Sequence, residues 1–213
     1  MNLQLQIELE AGLKEMRIAL SINQQQQLLD YVALLQKWNR VYNLIANAGT
    51  VHILRCHLLD ALSIVDLVRR FCSRCLLDVG AGAGLPSIPL AIALPQLKMG
   101  AIDAVQKKVS FMRQVKVELG LDNFVVHAGR VEDHLVGKVE VVVARALASL
   151  VDLVNCTQHV LVQHGYWLAM KGRLAQQELL ALEKVPGVVV VDVFPLQVAG
   201  LDAERHLICL QKT

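Results

Sequence analysis

The segment that most restricts the fold of this chain is Asp78-Val-Gly80-Ala-Gly82-Ala-Gly84, a run of alternating glycines between an apolar stretch, Leu76 to Val79, and a helix-forming one, Pro86 to Leu94. Glycine admits positive φ and leaves no Cβ in the way of a ligand. Between a strand and a helix, such a turn reads as the ligand-facing connection of a βαβ unit. The pattern beyond it agrees. LKMGAID and FVVHA read as a second and third strand, separated by a helix from Gln106 to Leu119 that Gly120 stops. VEVVVA reads as a fourth strand, and a helix from Ser149 to about Gln163, stopped by Gly165, follows it. YWLAM is a fifth strand, and a short helix covers about Ala175 to Glu183. VVVVDVF and RHLICL close the chain as two strands joined by a loop. Strands alternating with helices predict an α/β fold with right-handed βαβ units and a parallel sheet covered on both faces. Ligands of such sheets bind at the carboxyl ends of the strands.

Before Cys72 the periodicity is helical only. Ser21-Ile-Asn-Gln24 matches a capping box. Leu28, Tyr31, Val32, Leu35, Trp38 and Tyr42 then share one helical face. Asn47-Ala-Gly49 interrupts the pattern, and Thr50 is placed to cap a further helical region reaching about Arg70. The chain thus divides into an N-terminal helical cap, residues 1–71, and a ligand-binding domain, residues 72–213.

Composition narrows the class. Hydrophobic residues are 54% and charged residues 19%, which excludes a disordered chain. A mean hydropathy of +0.44 raises the question of a membrane. The longest uncharged stretch, Val79 to Leu97, is broken by its glycines and by Pro86, Pro89 and Pro95. A spanning helix needs ~20 mainly apolar residues, so no membrane span is expected. The first residues carry acids and no apolar run of the kind a signal peptide has, so the expected location is the cytoplasm. Among the five cysteines, Cys72-Ser-Arg-Cys75 is the only C-x-x-C, and it lacks the second pair of a structural zinc site. The histidines show no ligand spacing either, so no metal is expected. Cys72 and Cys75 read as small apolar residues leading into a buried strand. The net charge of +2 permits nucleic-acid binding without requiring it.

The glycine turn is not G-x-G-x-x-G, because Leu85 and Pro86 follow Gly84. Asp78 stands two residues before Gly80, where its carboxylate would repel a pyrophosphate and attract an ammonium or sulfonium. S-adenosylmethionine (SAM) carries both cations and no phosphate. The bland alternative for Asp78 is a cap on local backbone N–H groups. The second strand ends at Asp103, 23 residues beyond Gly80, where an acid can accept from both ribose hydroxyls. The third strand leads to Gly129-Arg-Val131-Glu132-Asp133, whose backbone at Val131 and Glu132 faces an adenine edge in folds of this kind. The fourth strand delivers Arg145 opposite the glycine turn. That guanidinium suits a methionine carboxylate, a substrate phosphate or a base, and its bland alternative is an ion pair with Glu132 or Asp133.

LLDVGAGAGLPSIPLAIA, AIDAVQKKVSFMRQVKVELGL, GRVEDH, ARALASL, MKG and ERHLI, in that order, together with KWNRVYNL and His57-Leu-Leu-Asp60, resemble the bacterial ribosomal small-subunit methyltransferase G family, also called glucose-inhibited division protein B. The resemblance covers nearly the whole chain. It implies a class I SAM-dependent methyltransferase with a Rossmann-like, mostly parallel seven-stranded sheet and an antiparallel last strand. It also implies methylation of N7 of guanine 527 in 16S ribosomal RNA. Carried over residue by residue, its cofactor contacts fall on Gly80, Leu85, Val131, Glu132 and Arg145; with Asp78, Gly82, Gly84 and Asp103 these make up the expected SAM site. The chain departs from the family pattern with Ser87 in place of glycine, Ile45 in place of threonine and Ala61 in place of serine.

Chemistry separates the possible acceptors. Carbon methylation of a pyrimidine needs a cysteine nucleophile, and Cys156 and Cys209 fall in a helix and a terminal strand, away from the strand ends. Exocyclic amine methylation commonly uses an Asn/Asp-Pro-Pro-aromatic loop, whereas Ala144 to Ser149 has neither proline nor aromatic. Guanine N7 carries no proton and needs alignment rather than a base. Arg145 and Lys171 are candidates for positioning the substrate, and Lys108, Lys171, Arg173 and Arg205 for contacting RNA; Lys37 and Arg40 extend the basic rim or form a solvated face. With 4% aromatic residues, recognition should rest on RNA shape, phosphates and one exposed base. The expected partner is small-subunit rRNA or the assembling 30S particle, met by a monomer. Two other readings stay open: a SAM-dependent methyltransferase of a small molecule, and a non-catalytic nucleotide-binding regulatory module.

Overall fold

The computed structural model describes residues 3–47, 49–133, 137–145, 149–173 and 176–213. Two helices lead the chain, α1 (Leu3–Glu15) and α2 (Ile22–Tyr42). The capping box forms as the sequence predicts: Ser21 Oγ accepts from Gln24 N, and the Gln24 amide returns to Ser21 N. A continuous helical stretch follows, made of α3 (Thr50–Ile53), a π-helical turn (Leu54–Leu59) and α4 (Asp60–Leu62), and then α5 (Val65–Phe71). Thr50 does not cap it. Gly49 holds that position, and the Thr50 hydroxyl meets the Gln36 amide instead.

From Cys75 strands and helices alternate: β1 (Cys75–Val79), α6 (Ser87–Ala93), β2 (Lys98–Asp103), α7 (Gln106–Leu119), β3 (Phe124–Ala128), β4 (Val139–Arg145), α8 (Leu150–Thr157), β5 (Leu161–Lys171), α9 (Gln176–Leu182), β6 (Val188–Pro195) and β7 (His206–Lys212). The seven strands form one sheet in the order β3-β2-β1-β4-β5-β7-β6. β1 to β5 pair in parallel, and β7 runs antiparallel between β5 and β6. The strand order reverses between β1 and β4, which opens a crevice there at the carboxyl ends.

One boundary differs from the sequence reading. The helix expected to run to Gln163 ends at Thr157, and the fifth strand begins at Leu161, so Gly165 lies inside β5 and does not stop a helix. The backbone accounts for this. A Cβ on Gly165 would sit 2.8 Å from Glu140 O and 2.8 Å from Leu161 Cγ, where the β4–β5 register shifts between Val139 and Val141. Glycine here serves close approach at a bulge, a use that a pattern of apolar residues cannot tell from a helix stop.

Alternation along β1 sends Leu76 to one face of the sheet and Leu77 and Val79 to the other. The first face packs against α1 to α7, and the second packs against α8 and α9. The helices before Phe71 therefore share one continuous core with the sheet. Gln24 Nε2 donates to Ile92 O (2.7 Å) and Gln27 Nε2 to Leu119 O (2.9 Å), tying α2 to the ends of α6 and α7. Lys107 Nζ donates to Tyr42 O (2.6 Å) at the other end, so α2 and α7 lie antiparallel. No described helix is long and apolar enough to cross a membrane.

Candidate functional site

The glycine turn stands at the carboxyl end of β1 with Gly80, Gly82 and Gly84 at φ 71°, 59° and 81°. These are left-handed conformations that side chains rarely adopt. Gly84 is further fixed by packing, since a Cβ there would fall 2.2 Å from Ile88 Cδ1. Gly80 is exposed and Gly82 half-buried, so their backbone faces the crevice, whereas Leu85 turns inward. The turn is pinned from two sides. Gly80 N and Ala81 N donate to Ile102 O (2.9 and 3.2 Å), and Tyr31 Oη of the helical cap donates to Ala83 O (2.9 Å). Burial raises the Tyr31 hydroxyl far above its ordinary pKa, so it stays a donor.

Asp103 completes the clamp. Its Oδ2 accepts from Gly82 N and its Oδ1 from Val105 N, both at 2.8 Å. Each oxygen keeps acceptor capacity for a further donor. Lys108 Nζ stands 3.8 Å from Oδ2. Its place in the first turn of α7 is thus matched by an internal acid, which removes the reason to require an RNA phosphate there.

Asp78 differs from its expected exposure at the turn. It lies wholly buried on the cap-facing side of β1, where Oδ2 accepts from Ser87 N (3.1 Å) at the start of α6. Burial raises its pKa to about 7. This is the cap on backbone N–H groups named above as the bland alternative, and the period of the strand explains it: Asp78 has the parity of buried Leu76. The consequence for ligands is the same. A carboxylate on Ser87 N takes an N–H at the first turn of α6 that a pyrophosphate in a dinucleotide site would use.

Val131 opens a one-turn helix (Val131–Asp133) and is buried, with its carbonyl facing His159 Nε2 at 3.1 Å; Glu132 beside it is exposed. Arg145 at the end of β4 pairs with neither Glu132 nor Asp133. Its Nε lies 3.2 Å from Asp60 Oδ2, and its Nη2 donates to Cys56 O (2.8 Å) and His57 Nδ1 (3.0 Å). Arg205 Nε donates to the other oxygen of the same carboxylate at 2.9 Å. Lys171 ends β5 and pairs with Glu178 at 2.9 Å. Asp60, Arg145, Lys171, Arg205 and His206 line a cavity of about 250 Å³, with Met170 and Leu196 as its apolar walls. Arg173 stands outside it, 90% exposed and 3.8 Å from Glu204.

The fold therefore gathers the expected residues into two adjoining groups. Gly80, Gly82, Gly84, Leu85 and Asp103 surround the turn; Arg145, Lys171 and Arg205 surround the cavity. Lys108 belongs to the first group rather than the second. Ala146, Leu147 and Ala148, which follow Arg145 in sequence, and His134 lie outside the described residues, as does Ala175. Two partners were given no role by the sequence reading: Asp60, which stands in the motif His57-Leu-Leu-Asp60, and Tyr31. The signal for Asp60 is an acid inside the apolar run Leu58 to Leu62. Among the described residues no cluster of metal-ligating side chains occurs.

Exposed glycine backbone, a carboxylate with spare acceptor capacity and a helix start already filled by an acid suit an adenosyl group bearing hydroxyls and an ammonium. They do not suit a diphosphate.

Comparison with known proteins gives the same direction. The family model GidB, rRNA small subunit methyltransferase G, matches residues 24–208. The ribosomal RNA small subunit methyltransferase G of Methylibium petroleiphilum is 44% identical over 207 residues, covering 96% of this chain and 93% of that protein. The protein of the same name from Methylobacillus flagellatus is 45% identical, covering 97% and 98%. Among solved structures, a SAM-dependent methyltransferase from Methanococcus maripaludis described as putative superposes with a TM-score of 0.59 at 13% identity, over 85% of this chain and 92% of that one. TrmN from Thermus thermophilus gives 0.57 at 17% identity, over 72% and 48%. These two show a shared fold.

Proposed function

The chain belongs to the rRNA small subunit methyltransferase G family, and from that premise we propose that it transfers the methyl group of SAM to N7 of guanine 527 of 16S ribosomal RNA in the cytoplasm. One observation carries the choice of donor: Asp78 fills the start of α6, where a phosphorylated cofactor would need open N–H groups.

Bound SAM supplies an electrophilic methyl group on a sulfonium. The protein supplies position. Gly80 and Gly82 admit the ligand to the backbone, and Gly84 and Leu85 set the shape of the turn. Asp103, which holds Gly82, would accept from the ribose hydroxyls. Backbone at Val131 and Glu132 would meet the adenine edge. Arg145 would answer the methionine carboxylate and lines the substrate cavity. Lys171 and Arg205 in the cavity, with exposed Arg173 outside it, draw the RNA backbone. N7 attacks with its own lone pair, so the residues align and exclude water and need remove no proton. Burial holds Cys156 at a pKa of about 11 and Cys209 at about 12, as thiols unsuited to the covalent route of carbon methylation.

The test is transfer of label from SAM to unmethylated 30S particles, to naked rRNA and to small acceptors, followed by digestion of the product. N7-methylguanosine from one position is expected. Label confined to small acceptors, or tighter binding of NADH than of SAM, would sink the reading.

A further inference from the structure

We propose that Asp60 is a positioning residue, which sets Arg145 and Arg205 as a fixed pair so that the cavity beside them takes one RNA phosphate next to the methylated nucleotide. The inference rests on the rRNA reading above and assigns a task to a residue of the helical cap.

The geometry is that of one carboxylate shared by two guanidiniums. Asp60 is 2% exposed, and each of its oxygens meets the Nε of a different arginine, at 3.2 and 2.9 Å. The arginines come from separate strand ends, Arg145 from β4 and Arg205 just ahead of β7. Neither end can orient the other, because β5 lies between them. The cap supplies the common partner. Asp60 directly follows the π-helical turn Leu54–Leu59, which also presents Cys56 O and His57 Nδ1 to Arg145. An arginine only donates, so His57 accepts at Nδ1 and carries its proton on Nε2. Burial, with Arg145 next, lowers the His57 pKa to about 4, which keeps the ring neutral and able to accept.

With Nε of both arginines engaged, the guanidiniums are oriented while N–H groups remain. No hydrogen bond is formed by Arg145 Nη1 or Arg205 Nη2 among the described residues. Two arginines against one acid leave an excess positive charge at the cavity, to which Lys171 with Glu178 adds none. That sign selects the occupant. Guanine methylated at N7 is a cation, so the charge opposes the base and favours its phosphodiester.

The experiment measures methylation of unmethylated 30S particles by the full chain carrying Asp60→Asn, Asp60→Glu or Arg205→Gln, with thermal melting and S-adenosylhomocysteine calorimetry beside it. For Asp60→Asn the RNA KM is expected to rise about tenfold with kcat within about threefold. S-adenosylhomocysteine affinity should change little, because the turn and Asp103, which would hold the adenosyl group, are set by Ile102, Tyr31 and Gly82 rather than by Asp60. Arg205→Gln should show the same rise in KM and a salt slope smaller by about one. The double variant should be no worse than either single one, and Asp60→Glu should recover part of the loss. A fall in kcat at constant KM, or additive effects, overturns the proposal. If Asp60→Asn does not fold, Arg205→Gln decides alone: an unchanged KM and salt slope overturn it. Failure of the rRNA reading itself is separate, since the wild-type chain would then not methylate the particle.

Discussion

Single residues in this chain take their meaning from what surrounds them, and Asp78 shows it most plainly. Its place before the first glycine reads as an attractor for a cationic ligand, yet it is sealed beneath the turn and caps α6. Its pKa rises from 3.8 to about 7 through burial. The unfolded chain loses this proton near 3.8 and the folded chain near 7, so between those values the folded state binds more protons and stability falls as pH rises. Asp78→Asn should remove that part of the slope while Oδ1 of the amide still accepts from Ser87 N. Parallel melting curves of the two proteins from pH 4 to 8 check it, and identical slopes would refute it. Asp103, by contrast, keeps the place its spacing suggests, but it spends two acceptor positions on Gly82 and Val105. Spacing identifies such an acid. Only the fold shows how much of it is left for a ligand.

Elements repeat the lesson. Most strands and helices lie where periodicity puts them, because a two-residue or 3.6-residue apolar repeat is a local property of the chain. The capping box on α2 and the left-handed Gly120 that ends α7 are local in the same sense. The junction of α8 and β5 fails the rule. There a glycine marks a bulge against β4, a contact between residues 25 apart, Glu140 and Gly165, that no window of sequence contains. Gly165→Ala should place a methyl 2.8 Å from Glu140 O and cost about 1–3 kcal/mol of stability. Chemical denaturation measures it, and a loss below about 0.5 kcal/mol would mean that the strand shifts freely. The π-helical turn is the other element that periodicity cannot reveal. It carries His57, which meets Arg145, and leads directly into Asp60, which meets Arg145 and Arg205, and turns of this kind gather at functional sites.

At the scale of the molecule, the division at residue 71 marks a change of pattern rather than a break in packing. Leu28, Tyr31 and Leu54 of the cap belong to the same buried cluster as Leu76, Met99 and Val141 of the sheet. Residues 72–213 made alone should therefore lose the core on the cap-facing side of the sheet and keep only the one under α8 and α9, with exposed apolar surface, broad amide spectra and loss of S-adenosylhomocysteine binding. A cooperative melt of that fragment would show instead that the cap is dispensable. The cap also completes the site, through Tyr31 under the turn and Asp60 between two arginines. What the sequence determines unaided is the class of fold and the turn at β1, since each depends on residues adjacent in the chain and on backbone conformations that glycine alone allows. What tertiary structure decides is which charges remain for a substrate. Lys108 is matched by Asp103, Lys171 by Glu178, and Arg145 and Arg205 by one shared Asp60. Electrostatic pairing acts through space at a few ångströms, and residues that close are separated by as many as 145 positions along the chain.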